Sequence, residues 1–403
     1  MMRSALFLLL AASARAYDRT LTDCKAVASQ FFNTCDHGDF DTPAANVSSM
    51  AAESFACPNK RRCIPSGVSV GTTCTWARRL CVTCRSDGGI TKIRVQTNNL
   101  PNHCVVSDSV QAMDFDFEVV FNSKQTFENW ENSFRNQRQL NNGVCPIAKG
   151  YDAAELGIVE FGSDAPESSN AMGFGINGVA FQFANQLQED PVYPITETNE
   201  QPLDLCLGHN QQNSDSGMYH YHALSPCLNA TFMDGKVMSE CASHEECSDS
   251  KVEWFMSGFS SLQSKTVMGL AKDGHVLYGP YDEVGKLWQT DEVDACNGAW
   301  SADRSDFYYV GTRWHPYLVG CLGSANLPQN EDPPLYAQCS TNGMDQYVSS
   351  GTIGVLPAEQ GADSHSMGGS LRGMLSSQAG GRAGQGPRKR MTQEQLDPTR
   401  PGL

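Results

Sequence analysis

Sixteen cysteines constrain what this chain can fold into more than any other feature. An even number at that density points to disulfides and an oxidising compartment. The N-terminus agrees: Met1-Met2-Arg3, an apolar run from Ala5 to Ala12 and Ala14-Arg15-Ala16 read as a secretory signal peptide over residues 1–16, cut after Ala16. A secreted, extracellular protein is therefore expected. No stretch approaches the roughly 18 continuous apolar residues of a membrane span, and residues 387–403 lack the hydrophobic tail of a lipid-anchor signal. Apolar residues are 40% of the chain, enough for a real core. The net charge of −16 argues against a nucleic-acid partner, which needs a basic face.

Cysteine spacing and hydropathy divide the chain. The expected fold is mainly β with minor α: a disulfide-stabilised β domain with long loops over residues 91–348, preceded by a Cys-rich N-terminal region, 17–90, and followed by a disordered Gly/Ser/Arg-containing tail, 349–403. Seven cysteines crowd the front (24, 35, 57, 63, 74, 81 and 84), with Cys104 as an eighth. Cys81-Val82-Thr83-Cys84 has the spacing of a zinc or thioredoxin motif, but an oxidising route turns such thiols into structural disulfides. Residues 114–120 alternate acidic and apolar positions, as a half-buried strand with a solvated acidic face does. Residues 173–183 and 267–281 read as strands around Gly-rich turns, and 126–140 as a helix. Asn46 and Asn229 begin glycosylation sequons.

The chemistry concentrates between Asp204 and Cys227. In a strand, residues i and i+2 share a face, so His220 and His222 project together, with Tyr219 and Tyr221 opposite. A polar loop, 210–218, can fold His209 back beside them, and a Cys206–Cys227 disulfide would close the segment. Three neutral imidazoles on a stiff hairpin suit zinc or copper, and nitrogen donors disfavour calcium. His103, after a proline turn, is a further candidate ligand. Asp273 is placed to accept a ring N–H from a ligand histidine, with His275 on its strand face. His37, His244, His315 and His365 lack neighbours that point to ligation.

Tyr219-His220-Tyr221-His222 resembles the signature of the YHYH family of secreted and cell-surface proteins. Ordered blocks from about Thr91 to Leu327 agree: Asn98 to His103; Ile176-Asn177-Gly178-Val179; Asp204, Cys206, Gly208 and His209; Gly269 through Asp273-Gly274 to Tyr278-Gly279-Pro280; and Cys296-Asn297-Gly298 to Gly320-Cys321. His275 departs from the aromatic or apolar residue more usual there, and Tyr308 and Val310 stand where histidine can recur in the family. The resemblance implies a fold and a location rather than a reaction. Cys296 and Cys321 bracket its last block and are paired in this reading.

Other motifs fail on context. Residues 173–178 fit GxGxxG, yet a β-like segment follows where the dinucleotide fingerprint needs a helix. Residues 67–71 fit GxSxG inside the cystine-rich front, without the strand and helix of a nucleophile elbow. A cupin would require a glutamate soon after His222. Three functions stay open: a histidine-held metal site; a metal-dependent hydrolase or oxidase using it; and a module binding glycan, matrix or a small-molecule ligand through Tyr308, Tyr309 and Trp314.

Overall fold

Three sheets make up the fold: the strand Thr73–Arg78 alternates buried and half-buried residues, whereas most strands of the largest sheet are buried on both faces. The computed structural model describes residues 19–322, apart from 36–39, 58–67, 71–72, 108–109, 124–158, 162–170, 183–191, 193–201, 211–216, 290–291, 294–295, 302–305, 315 and 321. The signal segment, the 126–140 helix, the tail, Cys321 and the histidines at 37, 315 and 365 therefore lie outside the described residues.

Helix α1 (Leu21–Ala28) starts at Thr20, whose hydroxyl accepts the Asp23 N–H, and buries Cys24, Val27 and Ala28. Strands β1 (Glu53–Cys57), β2 (Val68–Val70) and β3 (Thr73–Arg78) form an antiparallel sheet in the order β1-β3-β2. β4 (Leu80–Asp87), β5 (Ile90–Thr97), β6 (Phe115–Val120) and β7 (Val159–Glu160) follow as an antiparallel meander. The β4–β5 hairpin straddles residue 90, and one hydrophobic cluster takes residues from both sides of that point.

The acidic face of β6 differs from the solvated face expected of it. Glu118 is buried and receives a forked pair of hydrogen bonds from Arg85 at 2.7 and 2.6 Å; Asp116 receives one from Arg94 at 2.7 and 2.8 Å. Arginines of β5 and β4 in the same sheet thus take the place a cation would fill.

The third sheet carries the histidines. Its eight strands are β8 (Ala171–Gly175), β9 (Ala180–Gln182), β10 (Gly208–Asn210), β11 (Tyr219–Tyr221), β12 (Val267–Ala271), β13 (Val276–Tyr278), β14 (Gly298–Trp300) and β15 (Phe307–Val310), in the order β10-β11-β9-β8-β12-β13-β15-β14. This order reads as one four-stranded unit met twice. In each half a hairpin (β8–β9, β12–β13) is joined in parallel by a strand (β11, β15) that carries an antiparallel edge (β10, β14). The halves meet antiparallel with Phe174 opposite Leu270, as a local two-fold axis requires.

Finer features repeat as well. Register shifts occur immediately before Gly173 and before Gly269, and Leu207 and Asn297 are both left-handed at φ 57° and 59°. Asp204-x-Cys206-x-Gly208 answers to Asp294-x-Cys296-x-Gly298 in the sequence.

Disulfides join Cys24–Cys84, Cys35–Cys81, Cys57–Cys104, Cys206–Cys227 and Cys241–Cys247. The two cysteines of the CxxC motif are spent in separate bridges, which removes its zinc and thioredoxin readings. Cys74 and Cys296 are also disulfide-bonded, to partners outside the described residues. Helices α2 (Glu245–Asp249) and α3 (Lys251–Ser257) precede β12. No helix among the described residues is long and apolar enough to cross a membrane.

Candidate metal centre

Asp204 shapes the approach to β10. Its Oδ1 accepts the N–H groups of Cys206 and Gly208 at 2.9 and 3.2 Å, and its Oδ2 accepts the Tyr219 hydroxyl at 2.8 Å. Gly208 has no room for a side chain, since a Cβ there would lie 2.2 Å from the Tyr219 hydroxyl. Trp254 of α3 donates to the Leu205 carbonyl at 2.7 Å, and the Cys206–Cys227 bridge ties the segment beyond β11. Asn99 clamps the parallel pair: its Oδ1 accepts the Ala180 N–H at 2.7 Å and its Nδ2 donates to the Tyr219 carbonyl at 2.8 Å.

On this frame His209 lies opposite His220 in register. The rings of His209, His220 and His222 are 4.5 to 5.1 Å apart, all are buried, and one nitrogen from each falls within 4.8 Å of the others. His220 Nδ1 is 3.1 Å from the Met218 carbonyl. A carbonyl only accepts, so Nδ1 carries the proton and Nε2 keeps its lone pair. That Nε2 accepts a hydrogen bond from His222 Nε2–H at 3.0 Å, a separation close to the roughly 3.3 Å that two nitrogens would hold around a tetrahedral zinc replacing that proton. His209 is 2% exposed, and neither ring nitrogen has a well-formed hydrogen bond. Burial, with repulsion from His222, pulls its pKa down to about 3; burial and both neighbours hold His220 well below the usual histidine range. Both rings are neutral at physiological pH, as ligands must be.

His103 lies elsewhere. It packs against Tyr219 and Tyr221, on the face of β11 away from the cluster. Its Nδ1 donates to its neighbour's carbonyl, Cys104 O, at 2.7 Å, and its Nε2 meets the Tyr221 hydroxyl at 2.9 Å, so neither is open to a metal. Burial lowers its pKa to about 4. It also lies near Cys206 and Cys227, but the disulfide consumes those sulfurs.

Asp273 and His275 belong to the second half of the sheet and stand outside the cluster. Asn177 donates to the Tyr221 hydroxyl at 3.0 Å; at the matching positions Tyr309 donates to Asp273 at 2.7 Å. Asp273 also faces His275 Nδ1 at 3.1 Å, while His275 Nε2 donates to the Ser123 carbonyl at 2.8 Å. The orienting acceptor for the cluster is therefore the Met218 carbonyl rather than Asp273. Burial opposes charge on both groups, but their mutual attraction prevails, raising the His275 pKa and lowering that of Asp273. Histidine is stabilised below its unfolded pKa of about 6.5, and aspartate above about 3.9. The pair contributes most between those values, and the histidine share is lost as pH rises through its raised folded pKa. Urea unfolding should show Asp273→Asn with His275→Gln costing more at pH 5 than at pH 9; an equal cost would refute the ion pair.

His244 packs against Trp254, ring centres 4.6 Å apart and tilted by 49°, apart from the cluster. Of the aromatic platform expected from Tyr308, Tyr309 and Trp314, both tyrosines are buried, at 3% and 0% exposure, and Trp314 is half-buried. Tyr308 packs on Tyr278 and Trp288, with the Lys265 ammonium 3.6 Å from its ring centre.

Fold and cluster together define a disulfide-braced β protein with three buried, converging histidines. Residues 159–292 match the family model described as YHYH protein, so this part of the chain is a YHYH region. The match lies within the span marked by the sequence motifs; the Asn98–His103 element and the block from Cys296 fall outside it. No curated protein and no solved structure gives a significant match.

Proposed function

We propose that His209, His220 and His222 hold one zinc or copper ion, and that the chain is a secreted metal-binding YHYH protein. One observation carries this reading. At the same places in the second half of the sheet stand Ala299, Tyr308 and Val310, matched by strand register. The fold thus builds this unit without histidine, and three imidazoles in one copy answer to something other than folding. Burying the His209 nitrogens without a well-formed hydrogen bond costs up to roughly 1–3 kcal/mol, which a bound ion would remove. In the second half a cation is already present: the Lys265 ammonium rests on Tyr308, the counterpart of His220.

Zinc or copper added to chelator-treated protein should raise the melting temperature, by an amount equivalent to about 2.7 kcal/mol at a hundredfold excess over Kd. No shift with either ion would refute the reading.

Metal-dependent chemistry on a small substrate is a second reading, favoured by a cleft of about 190 Å³ lined by His209, Asn210 and the exposed Glu240. A carboxylate there could accept a proton from a bound water. Turnover that falls both on metal removal and with Glu240→Gln would support it.

The disulfides and the signal-like N-terminus support export. Of the two sequons, Asn46 is the better acceptor. Asn46 is exposed and its Oδ1 caps a turn by accepting the Ser49 N–H at 2.9 Å, a bond that a glycan on Nδ2 leaves intact. Asn229 Nδ2 instead donates to the Gly258 carbonyl at 2.8 Å. Mass spectrometry of protein exported from eukaryotic cells should find glycan on Asn46 and none on Asn229; the reverse pattern would overturn this assignment.

A further inference from the structure

A second cavity lies apart from the histidine cluster, on the tyrosine side of β11. It encloses about 710 Å³, within the roughly 300–1,000 Å³ of small-molecule sites. His103 and Cys227 form part of its wall. His103 is the residue bonded to Tyr221, and Cys227 is bridged to Cys206, so this wall is fixed from behind by the YHYH strand and its disulfide.

Phe55, Met233 and Met238 supply apolar lining, and Val237 at the same site is 78% exposed. An aromatic ring and two thioethers form an adaptable, polarisable surface. Two charged residues also line the cavity, Asp234 and Lys236. The Lys236 ammonium is already engaged: it donates to the Phe232 carbonyl and lies 4.2 Å from the Phe232 ring centre. The Asp234 carboxylate has no ion pair or hydrogen bond among the described residues, which leaves its charge available to a ligand. The net charge of −16 draws cations to the surface as a whole.

We propose that this cavity binds a small aromatic amine, with its ring among Phe55, Met233 and Met238 and its ammonium on Asp234. Binding there requires no metal, so the site stands or falls separately from the histidine cluster.

The test uses the full chain with methyl-labelled methionine, followed by NMR. The probe is tryptamine, and indole-3-acetate is the control of matching shape and opposite charge. Tryptamine should shift the Met233 and Met238 methyl signals saturably, with Kd between roughly 10 μM and 1 mM. Indole-3-acetate should bind at least about fivefold more weakly, and Asp234→Asn should weaken tryptamine about threefold to fivefold. Ala56→Trp, at an exposed position of the lining, should abolish both shifts by filling the space. No saturable shift at either methionine overturns the site. Equal binding of the two indoles, or no effect of Asp234→Asn, overturns its preference for a cation.

Discussion

Replacing His220 and His222 together with alanine should reduce bound metal from about one ion per chain to none, while leaving the disulfide-linked fold largely intact. A site stripped to one imidazole no longer competes for zinc or copper at neutral pH. The fold should survive because the matching strand β15 puts Tyr308 and Val310 where these histidines stand, and its backbone pairs in the same register. Far-UV circular dichroism and the intact disulfides would report the fold, and elemental analysis the metal. Full metal content in the double variant would show the ligands to be elsewhere. Loss of fold with loss of metal would instead mean that the histidines are structural.

Gly208→Ala should have the second large effect, and it separates geometry from composition. It leaves every histidine in place. The added methyl, 2.2 Å from the Tyr219 hydroxyl, has no room, and Tyr219 is pinned by Asp204 at 2.8 Å. Either β10 moves away from β11 or the Tyr219–Asp204 bond breaks. Overpacking of this kind costs about 1–3 kcal/mol. Separating His209 from His220 should also weaken metal binding by roughly 10- to 100-fold, the scale seen when the support behind a ligand is lost. A metal titration of the variant against the native protein measures this. Unchanged affinity would mean that the β10–β11 pairing does not assemble the site.

The sequence disclosed part of this site. The i, i+2 rule put His220 and His222 on one face and the tyrosines on the other, and the Cys206–Cys227 bridge was legible from spacing. His103 misled because its place after a proline turn says nothing about which face of β11 it meets; its ring lies with the tyrosines. Asp273 misled for a related reason. Its role beside Tyr309 repeats that of Asn177 beside Tyr221, in a half of the sheet that holds no histidine triad. The signal that would have sorted them was present: Gly173-x-x-x-Asn177-Gly178 against Gly269-x-x-x-Asp273-Gly274, and Asp204-x-Cys206-x-Gly208 against Asp294-x-Cys296-x-Gly298. The two copies differ in most side chains, so the repeat emerges only when strand register aligns them.

Buried charge was equally hard to read from the chain. The acidic alternation of β6 resembles any half-exposed strand until Arg94 on the adjacent β5 and Arg85 on β4, one strand further, are seen to reach it. Tyr308 and Tyr309 resembled a binding platform because sequence does not record that their strand lies inside an eight-stranded sheet.

The account depends on an ion among three imidazoles, and elemental analysis of untagged protein, isolated without chelators, tests it most directly. About one zinc or copper per chain is the expected result, falling to none in the His220→Ala, His222→Ala variant. Native protein free of both elements, and still free after incubation with each, would contradict it.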